Sequence, residues 1–388
     1  MEGNTFRIND NVSYIGVYDK TLDLFENQYK TPEGISYNSY LIEGEKTAVV
    51  DTTDDRTGEE WLCNLRKALG DRKPDYLIIE HLEPDHSSLL TAFVEAYPEA
   101  TLVISAVGAK MLPLYMTDLP WKAPVMTVKD GDSLDLGGVT LQFFTAPMVH
   151  WPEVIMAYCP QHKLLFSADA FGTFGNIDAP HGDWAREARR YYYNIVGKYG
   201  QQVQNVLKKL SGLEIETICP LHGPVLTGDV APYIGYYDTW SSYRSEKEGV
   251  MIACASIHGS TLEAARYLAE ILRKRGVDVF VADLTREDVS AMAAEAFRYP
   301  EAVMCASTYD AGLFTPMYTF LHQLEIKGYR DRKVAIIENG SWAPMAGKIM
   351  RKTLEEMKGI DIVADPITLR GIFKAEDRKA IEQLADKL

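Results

Sequence analysis

The sequence predicts two domains of different class. Residues 1–248 are expected to form an α+β four-layer αββα sandwich, and residues 249–388 an α/β domain with a doubly wound parallel sheet. Three observations carry this. First, 388 residues correspond to two to three domains at roughly 150 residues each. Second, the charge is uneven: 19 of the 40 Lys and Arg and 20 of the 55 Asp and Glu lie from Val250 onward, a net of −1 there against −14 before it. Third, short strands dominate the first segment, whereas strands and helices alternate in the second. The polar stretch from Ser241 to Gly249 marks the edge between them.

Composition narrows the class further. Hydrophobic residues make up 46% and charged residues 24%, enough for packed cores and unlike a disordered chain. The formal net charge is −15. Non-specific nucleic-acid binding needs clustered cations, so no nucleic-acid partner is expected. Anionic membranes are disfavoured for the same reason. No apolar run reaches the roughly 18 residues of a membrane span. Met1 to Arg7 lacks the basic and apolar regions of a signal peptide, so a cytoplasmic location is expected. The cysteines, Cys63, Cys159, Cys219, Cys254 and Cys305, are scattered and form no C-x-x-C pair. They fit a reducing compartment and exclude a thiolate-held iron or zinc module in this chain. Any electron donor of that kind is expected to be a separate protein.

The first domain opens with short strands. Ser36–Ile42 and Thr47–Val50 are expected as strands joined by the turn Glu43-Gly44-Glu45. Trp61, Leu62, Leu65 and Leu69 recur at helical spacing, so Glu59–Leu69 reads as a helix closed by Gly70. Tyr76–Ile79 is a buried-strand run. Pro84 is expected to hold the next residues in a loop, with Ser87 capping a helix to about Tyr97. Thr101–Ser105 is the next strand. Val125–Val128, Ser133–Leu136 and Val139–Thr145 are expected to form a meander. Val154–Tyr158 and Lys163–Ser167 read as a hairpin, Asp183–Leu210 as mostly helix, and Ile215–Cys219 as a last strand. Strands followed by helices, about twice over, predict the sandwich.

The sharpest chemical signal is His81-x-Glu83-x-Asp85-His86, four potential ligands directly after a strand. His150, Asp169 and His222 follow at the ends of later strands. A lone histidine after a strand is more often a hydrogen-bonded loop residue, but the combination is a metal-ligand pattern. Four imidazoles and three carboxylates, with no thiolate, suit iron, manganese or zinc. Seven donors exceed one tetrahedral ion and fit two if a carboxylate bridges. Glu83 adds negative charge where a zinc hydrolase keeps a neutral set, which favours a harder ion such as iron.

The His-x-Glu-x-Asp-His block, followed by His150, Asp169 and His222 in that order, resembles the flavodiiron proteins, also called A-type flavoproteins. Their first domain has a metallo-β-lactamase fold, whose hydrolase members carry histidine where this chain has Glu83. The resemblance implies that His81, Glu83 and His150 hold one iron. Asp85, His86 and His222 would serve the other, with Asp169 bridging. The equivalent of His86 is a ligand in some members and replaced by water in others.

The second domain alternates regularly. Met251–Ala255, Val277–Ala282, Ala302–Ala306, Lys333–Ile337 and Ile360–Ile367 read as strands. Thr261–Arg275, Met317–Ile326, Ala346–Met357 and Glu376–Asp386 read as helices. In such sheets ligands sit at the carboxyl ends of strands. Three loops occupy those ends. Ser256, His258, Gly259, Ser260 and Thr261 form the first, suited to a phosphate held by hydroxyls and helix N–H groups. Ser307, Thr308, Tyr309, Asp310 and Gly312 belong to the second, and Asn339, Gly340, Ser341 and Trp342 to the third. Tyr309 and Trp342 serve equally well as surface aromatics or as stacking partners for a flat ring. Together the loops resemble a flavodoxin and imply FMN. The absence of Gly-x-Gly-x-x-Gly disfavours a dinucleotide.

The two resemblances imply an oxidoreductase with FMN and two irons per subunit. It would reduce dioxygen to water, nitric oxide to nitrous oxide, or both. They also imply a head-to-tail homodimer or a dimer of dimers, and an external donor: a rubredoxin-type protein or a reduced deazaflavin coenzyme. A zinc hydrolase fused to a flavodoxin-like module is the alternative, opposed by Glu83.

Overall fold

A computed structural model describes residues 5–116, 122–177 and 184–388. The chain divides into two compact units, Met1–Asp238 and Thr239–Leu388. The break precedes the one read from charge because residues 240–246 are tied to the second unit. Trp240 Nε1 donates to Glu246 Oε1 at 2.7 Å, and the Glu246 N–H donates to the Arg298 carbonyl at 3.0 Å. Among the described residues, no helix is long and apolar enough to cross a membrane.

The first unit is a sandwich of two mixed sheets. One has seven strands in the order Phe6–Arg7, Val12–Tyr14, Tyr40–Glu43, Thr47–Val50, Tyr76–Ile78, Thr101–Ser105, Val125–Val128. The other has six: Ser133–Asp135, Thr140–Thr145, Ile155–Cys159, Leu164–Phe166, Thr217–Cys219, Leu226–Thr227. Strand alternation explains the layering. Tyr40, Ile42, Val50, Ile78 and Val103 face the second sheet and meet Phe143, Ile155, Leu164 and Phe166. Leu41, Val49, Leu77, Leu102 and Ile104 face the other way and pack under Trp61, Leu65, Phe93 and Val94 of the helices Gly58–Leu69 and Leu90–Ala96. A sheet covered on both faces reads as a continuous apolar run, as these strands do.

Several local expectations are corrected. Ser36–Ile42 is two strands in different sheets, Ile35–Tyr37 and Tyr40–Glu43. They part at Asn38, whose side-chain amide donates to the Pro220 and Gly223 carbonyls. Val125–Val128 is not part of the meander. It pairs parallel with Thr101–Ser105 at the edge of the first sheet, and the chain then crosses to the second. Alternation along one strand does not reveal which sheet it joins. Pro84 starts a short helix, Pro84–Ser87, instead of preventing one, because proline suits the first helical position. Ser87 is therefore no cap; its hydroxyl donates to the Leu82 carbonyl at 2.7 Å. A helix over Val289–Arg298, capped by the Asp288 side chain, was not anticipated.

The second unit carries a parallel sheet in the order Val279–Asp283, Val250–Ala255, Glu301–Tyr309, Lys333–Asn339, Asp361–Ile362. Ile360–Ile367, expected as one strand, is two, Asp361–Ile362 and Ile367–Leu369, each paired with Lys333–Asn339. By order of appearance this is 2-1-3-4-5, the flavodoxin-like doubly wound arrangement.

Candidate metal centre and flavin pocket

All seven predicted metal donors come together in the first unit. His81 and Glu83 follow the strand Tyr76–Ile78, and Asp85 and His86 lie on the helix Pro84–Ser87. Asp169 follows Leu164–Phe166, and His222 follows Thr217–Cys219. Their ligating atoms form two groups. His81, Glu83, His150 and Asp169 make one; Asp85, His86 and His222 make the other. Asp169 spans both: Oδ2 lies 3.1 Å from His150 Nε2 and 3.5 Å from His81 Nε2, while Oδ1 lies 3.3 Å from His86 Nε2 and 3.6 Å from His222 Nε2. Glu83 Oε2 is 2.9 Å from His150 Nε2, and Asp85 Oδ2 is 3.2 Å from His222 Nε2.

Hydrogen bonding on the far side of the rings fixes what faces inward. His81 Nδ1 meets Glu153 Oε1 at 2.8 Å, and His222 Nδ1 meets the Ser36 carbonyl at 2.7 Å. A carboxylate and a carbonyl only accept, so each Nδ1 carries the proton. In the neutral ring each Nε2 then presents a lone pair to the centre. The His81 Nε2 lone pair faces oxygens of Glu83 and Asp169 at 3.3 and 3.5 Å, with His150 Nε2 at 3.3 Å, and that of His222 faces Asp85 at 3.2 Å. Acceptors crowded on acceptors need a cation between them. The side-chain polar atoms of Asp85 and His86, Asp169 Oδ1 and His222 Nε2 are buried without hydrogen-bond partners among the described residues, as atoms that ligate a metal would be. The donor set therefore fits two cations sharing a carboxylate.

The electrostatics agree. Burial pushes Glu83 up, but the His150 and His81 bonds outweigh it and hold its carboxyl at about 2. Burial pushes His150 down, yet Asp169 and Glu83 raise it to about 9. Asp169 is held well below the carboxylate range by His150 and His86 despite its burial. The same field that favours protons on these rings favours divalent ions.

Backbone strain gathers here too. Met148, Ala168 and Phe171, beside His150 and Asp169, have φ of +64°, +47° and +67°. Gly223, at φ +80°, follows His222, and a Cβ there would lie 2.1 Å from Thr173 Oγ1. One residue near the centre was missed from sequence. Tyr191 is fully buried, its ring 5.6 Å from that of His222, and its hydroxyl has no hydrogen-bond partner among the described residues. Burial, then Asp169, Asp85 and Glu83, push its pKa well up, so it holds its proton. In the run Tyr191-Tyr192-Tyr193 nothing distinguishes it from a core aromatic.

The three loops of the second unit meet around a cavity of about 650 Å³. Ser256, His258, Ser260, Thr261, Ser307, Thr308, Tyr309, Asp310, Asn339, Gly340, Ser341 and Trp342 line it, and among the described residues no lysine or arginine does. Gly259, at φ +94°, turns the chain into the helix Ser260–Lys274, and Gly312 pairs with Tyr309; neither lines the cavity. Helix N–H groups there suit a phosphate. Trp342 and Tyr309 are 92% and 50% exposed at the rim, open to a flat ring. Several of these lining side chains also hold the backbone in place. Asn339 clamps the Gly371 backbone, donating to its carbonyl at 2.8 Å and accepting its N–H at 3.1 Å. Ser260 Oγ also donates to that carbonyl, and Thr308 Oγ1 accepts the N–H groups of Met345 and Ala346. This clamp brings in a fourth loop, Gly371 and Ile372, which the sequence did not signal.

Comparison with known proteins places this architecture. Residues 35–223 match the model of the ODP family beta lactamases. A coenzyme F420H(2) oxidase from Methanothermobacter marburgensis is 34% identical over 304 residues, 75% of this chain and 74% of that protein. The chain belongs to the flavodiiron family. Members of this family are oxidoreductases with FMN and a diiron site. Another member, a nitric oxide reductase from Moorella thermoacetica, is 28% identical over 395 residues, 98% of this chain and 97% of that one. Among solved structures, the flavodiiron rubredoxin oxygen:oxidoreductase from Desulfovibrio gigas superposes with a TM-score of 0.91 at 26% identity, over 99% of this chain and 97% of that chain. The flavodiiron protein from Giardia intestinalis shares the fold, with a TM-score of 0.92 at 24% identity over 100% and 97%.

Proposed function

We propose that this chain is a flavodiiron oxidoreductase that reduces dioxygen to water, nitric oxide to nitrous oxide, or both, with electrons entering through FMN. One observation carries the reading. Seven imidazole and carboxylate donors form two groups joined by Asp169, in a chain whose second unit also has a cavity lined by Ser256, Ser260 and Thr261. His81, Glu83 and His150 would hold one iron, and Asp85, His86 and His222 the other. Bound there, two ferrous ions would supply two electrons and polarise a diatomic ligand, and reduced FMN would supply two more, enough for the four-electron reduction of dioxygen. The protein contributes the rest. The buried carboxylates would balance the cationic charge, and the Tyr191 hydroxyl holds a proton within the same field.

The zinc-hydrolase alternative has no support among the relatives, and Glu83 remains against it. The donors are proposed from the relatives' names: a rubredoxin-type protein or a reduced deazaflavin coenzyme. A head-to-tail homodimer and a cytoplasmic location complete the proposal. Purified protein expressed with iron should contain about two irons and one FMN per chain and consume dioxygen or nitric oxide when the FMN is kept reduced. Iron-loaded, flavin-reduced protein that consumes neither gas would overturn it.

A further inference from the structure

The two halves of the metal centre are not backed alike. His81 donates its Nδ1–H to Glu153 Oε1 at 2.8 Å, and the Leu82 N–H donates to the same oxygen at 3.0 Å. Glu153 is 2% exposed, and its own carbonyl accepts from Ser105 Oγ at 2.7 Å. The carboxylate is thus held at the side chain and at the main chain. In the other half, among the described residues, His222 is backed by the neutral Ser36 carbonyl, at 2.7 Å. His86 has no hydrogen-bond partner at either ring nitrogen among the described residues.

The ligand charges themselves do not separate the halves. Each has one carboxylate of its own, Glu83 or Asp85, and each shares Asp169. Asp51 also lies on the His81 side, but its carboxylate accepts backbone N–H groups of Glu80 and His81, so it holds the main chain and not the ring. Glu153 is the carboxylate bonded to a ligand ring from behind. An imidazole whose N–H meets a carboxylate is a better donor than one whose N–H meets a carbonyl, and its orientation is fixed. Losing such a partner typically costs 10–100-fold in metal affinity.

We propose that Glu153 is a positioning residue that makes the position held by His81, Glu83 and His150 the tighter of the two. Metal fills that position first and leaves it last. The Asp85, His86 and His222 position loads second and is the first to empty under a chelator. The inference rests on the dinuclear reading above, but its readout is binding, not turnover.

Anaerobic titration of the apoprotein with Co²⁺ against a competing chelator, followed by visible absorption, tests it. Wild type should bind two ions in two steps with Kd values at least about 10-fold apart. His150→Ala should abolish the tight step and His222→Ala the weak one. Glu153→Ala should weaken the tight step by about 10–100-fold and leave the weak step in place. Glu153→Gln, whose amide oxygen still accepts both N–H groups, should recover part of that loss. Apoprotein circular dichroism checks that each variant folds. If Glu153→Ala does not fold, wild type against His150→Ala and His222→Ala still decides the order of loading. Two equal steps, a tight step that survives His150→Ala, or an unchanged tight step in folded Glu153→Ala overturns the inference alone. Wild type that binds no second ion overturns the dinuclear reading with it.

Discussion

Tyr191 separates stability from activity at a single atom. Its hydroxyl is buried and unbonded among the described residues, so it costs desolvation and returns nothing to the fold. Tyr191→Phe is therefore expected to be neutral or up to about 1 kcal/mol more stable, read by denaturant unfolding. If the hydroxyl delivers a proton during gas reduction, turnover should fall by about 100-fold or more while metal and FMN contents hold. Unchanged turnover would remove Tyr191 from the mechanism. The neighbouring ligands make a prediction in pH. His150 is raised from 6.5 to about 9, so its stabilising contribution to the apoprotein is complete below pH 6.5 and is lost as pH rises through 9. Glu83 is lowered from 4.5 to about 2, so its contribution is complete above pH 4.5 and is lost as pH falls through 2. From these two groups, apoprotein stability should plateau between about pH 4.5 and 6.5 and decline toward pH 9. Metal must displace the His150 proton, so metal affinity should rise over that same upper range. A chelator titration repeated at pH 6.5 and 8.5 checks the sign.

Among the elements, the loops after strands carry the chemistry, and their geometry is exacting. Gly223 shows how a turn holds a ligand. It sits at φ +80° directly after His222, with Thr173 Oγ1 2.1 Å from where a Cβ would be. Gly223→Ala is expected to cost the left-handed strain of about 1–3 kcal/mol, plus the displacement of Thr173, and to release metal from the His222 side. Gly131, at φ +83° with nothing within 4 Å, is the control. Gly131→Ala should pay only the backbone term and keep both metals. Equal loss of metal from the two variants would refute a local role for Gly223. The same contrast marks how far sequence reaches. The seven donors were legible because strand ends and residue types are local facts. The fourth flavin loop was not, because the Asn339 side chain reaches Gly371 across 32 residues and that bond leaves no trace in pattern or composition. Val125–Val128 was read correctly as a strand but placed in the wrong sheet, since its neighbour is chosen by the chain's crossing and not by its own alternation. Glu153 was legible only as a charge after Trp151-Pro152; its bond to His81 spans 72 residues.

For the whole molecule, charge is the property that neither fold nor site explains. Residues 1–249 carry a net −14, and only Glu83, Asp85 and Asp169 among those carboxylates are candidate ligands. Asp19, Asp51, Glu80 and Glu153 are buried as well; most of the other described carboxylates there are solvated, an acidic surface that sets a long-range field. An anionic donor, whether an acidic protein or a small coenzyme bearing carboxylates or phosphates, is repelled by that field at a distance. At close range the nearly neutral second unit offers an apolar rim, with Trp342 92% and Ile372 72% exposed beside the cavity. Repulsion at long range and apolar contact at short range respond oppositely to salt. Screening shortens the field to about 10 Å at 0.1 M ionic strength, while burial of apolar surface is not weakened by it. The second-order rate of flavin reduction by an anionic donor should therefore rise between about 0.01 and 0.1 M salt and then level off. Trp342→Ala should lower the plateau without changing the slope, because it removes contact and not charge. Stopped-flow flavin reduction across that range measures both. A rate that falls steadily with salt would mean that attraction, from cations such as Arg370 and Lys374, governs the approach, and the acidic surface would then play no part in choosing the donor.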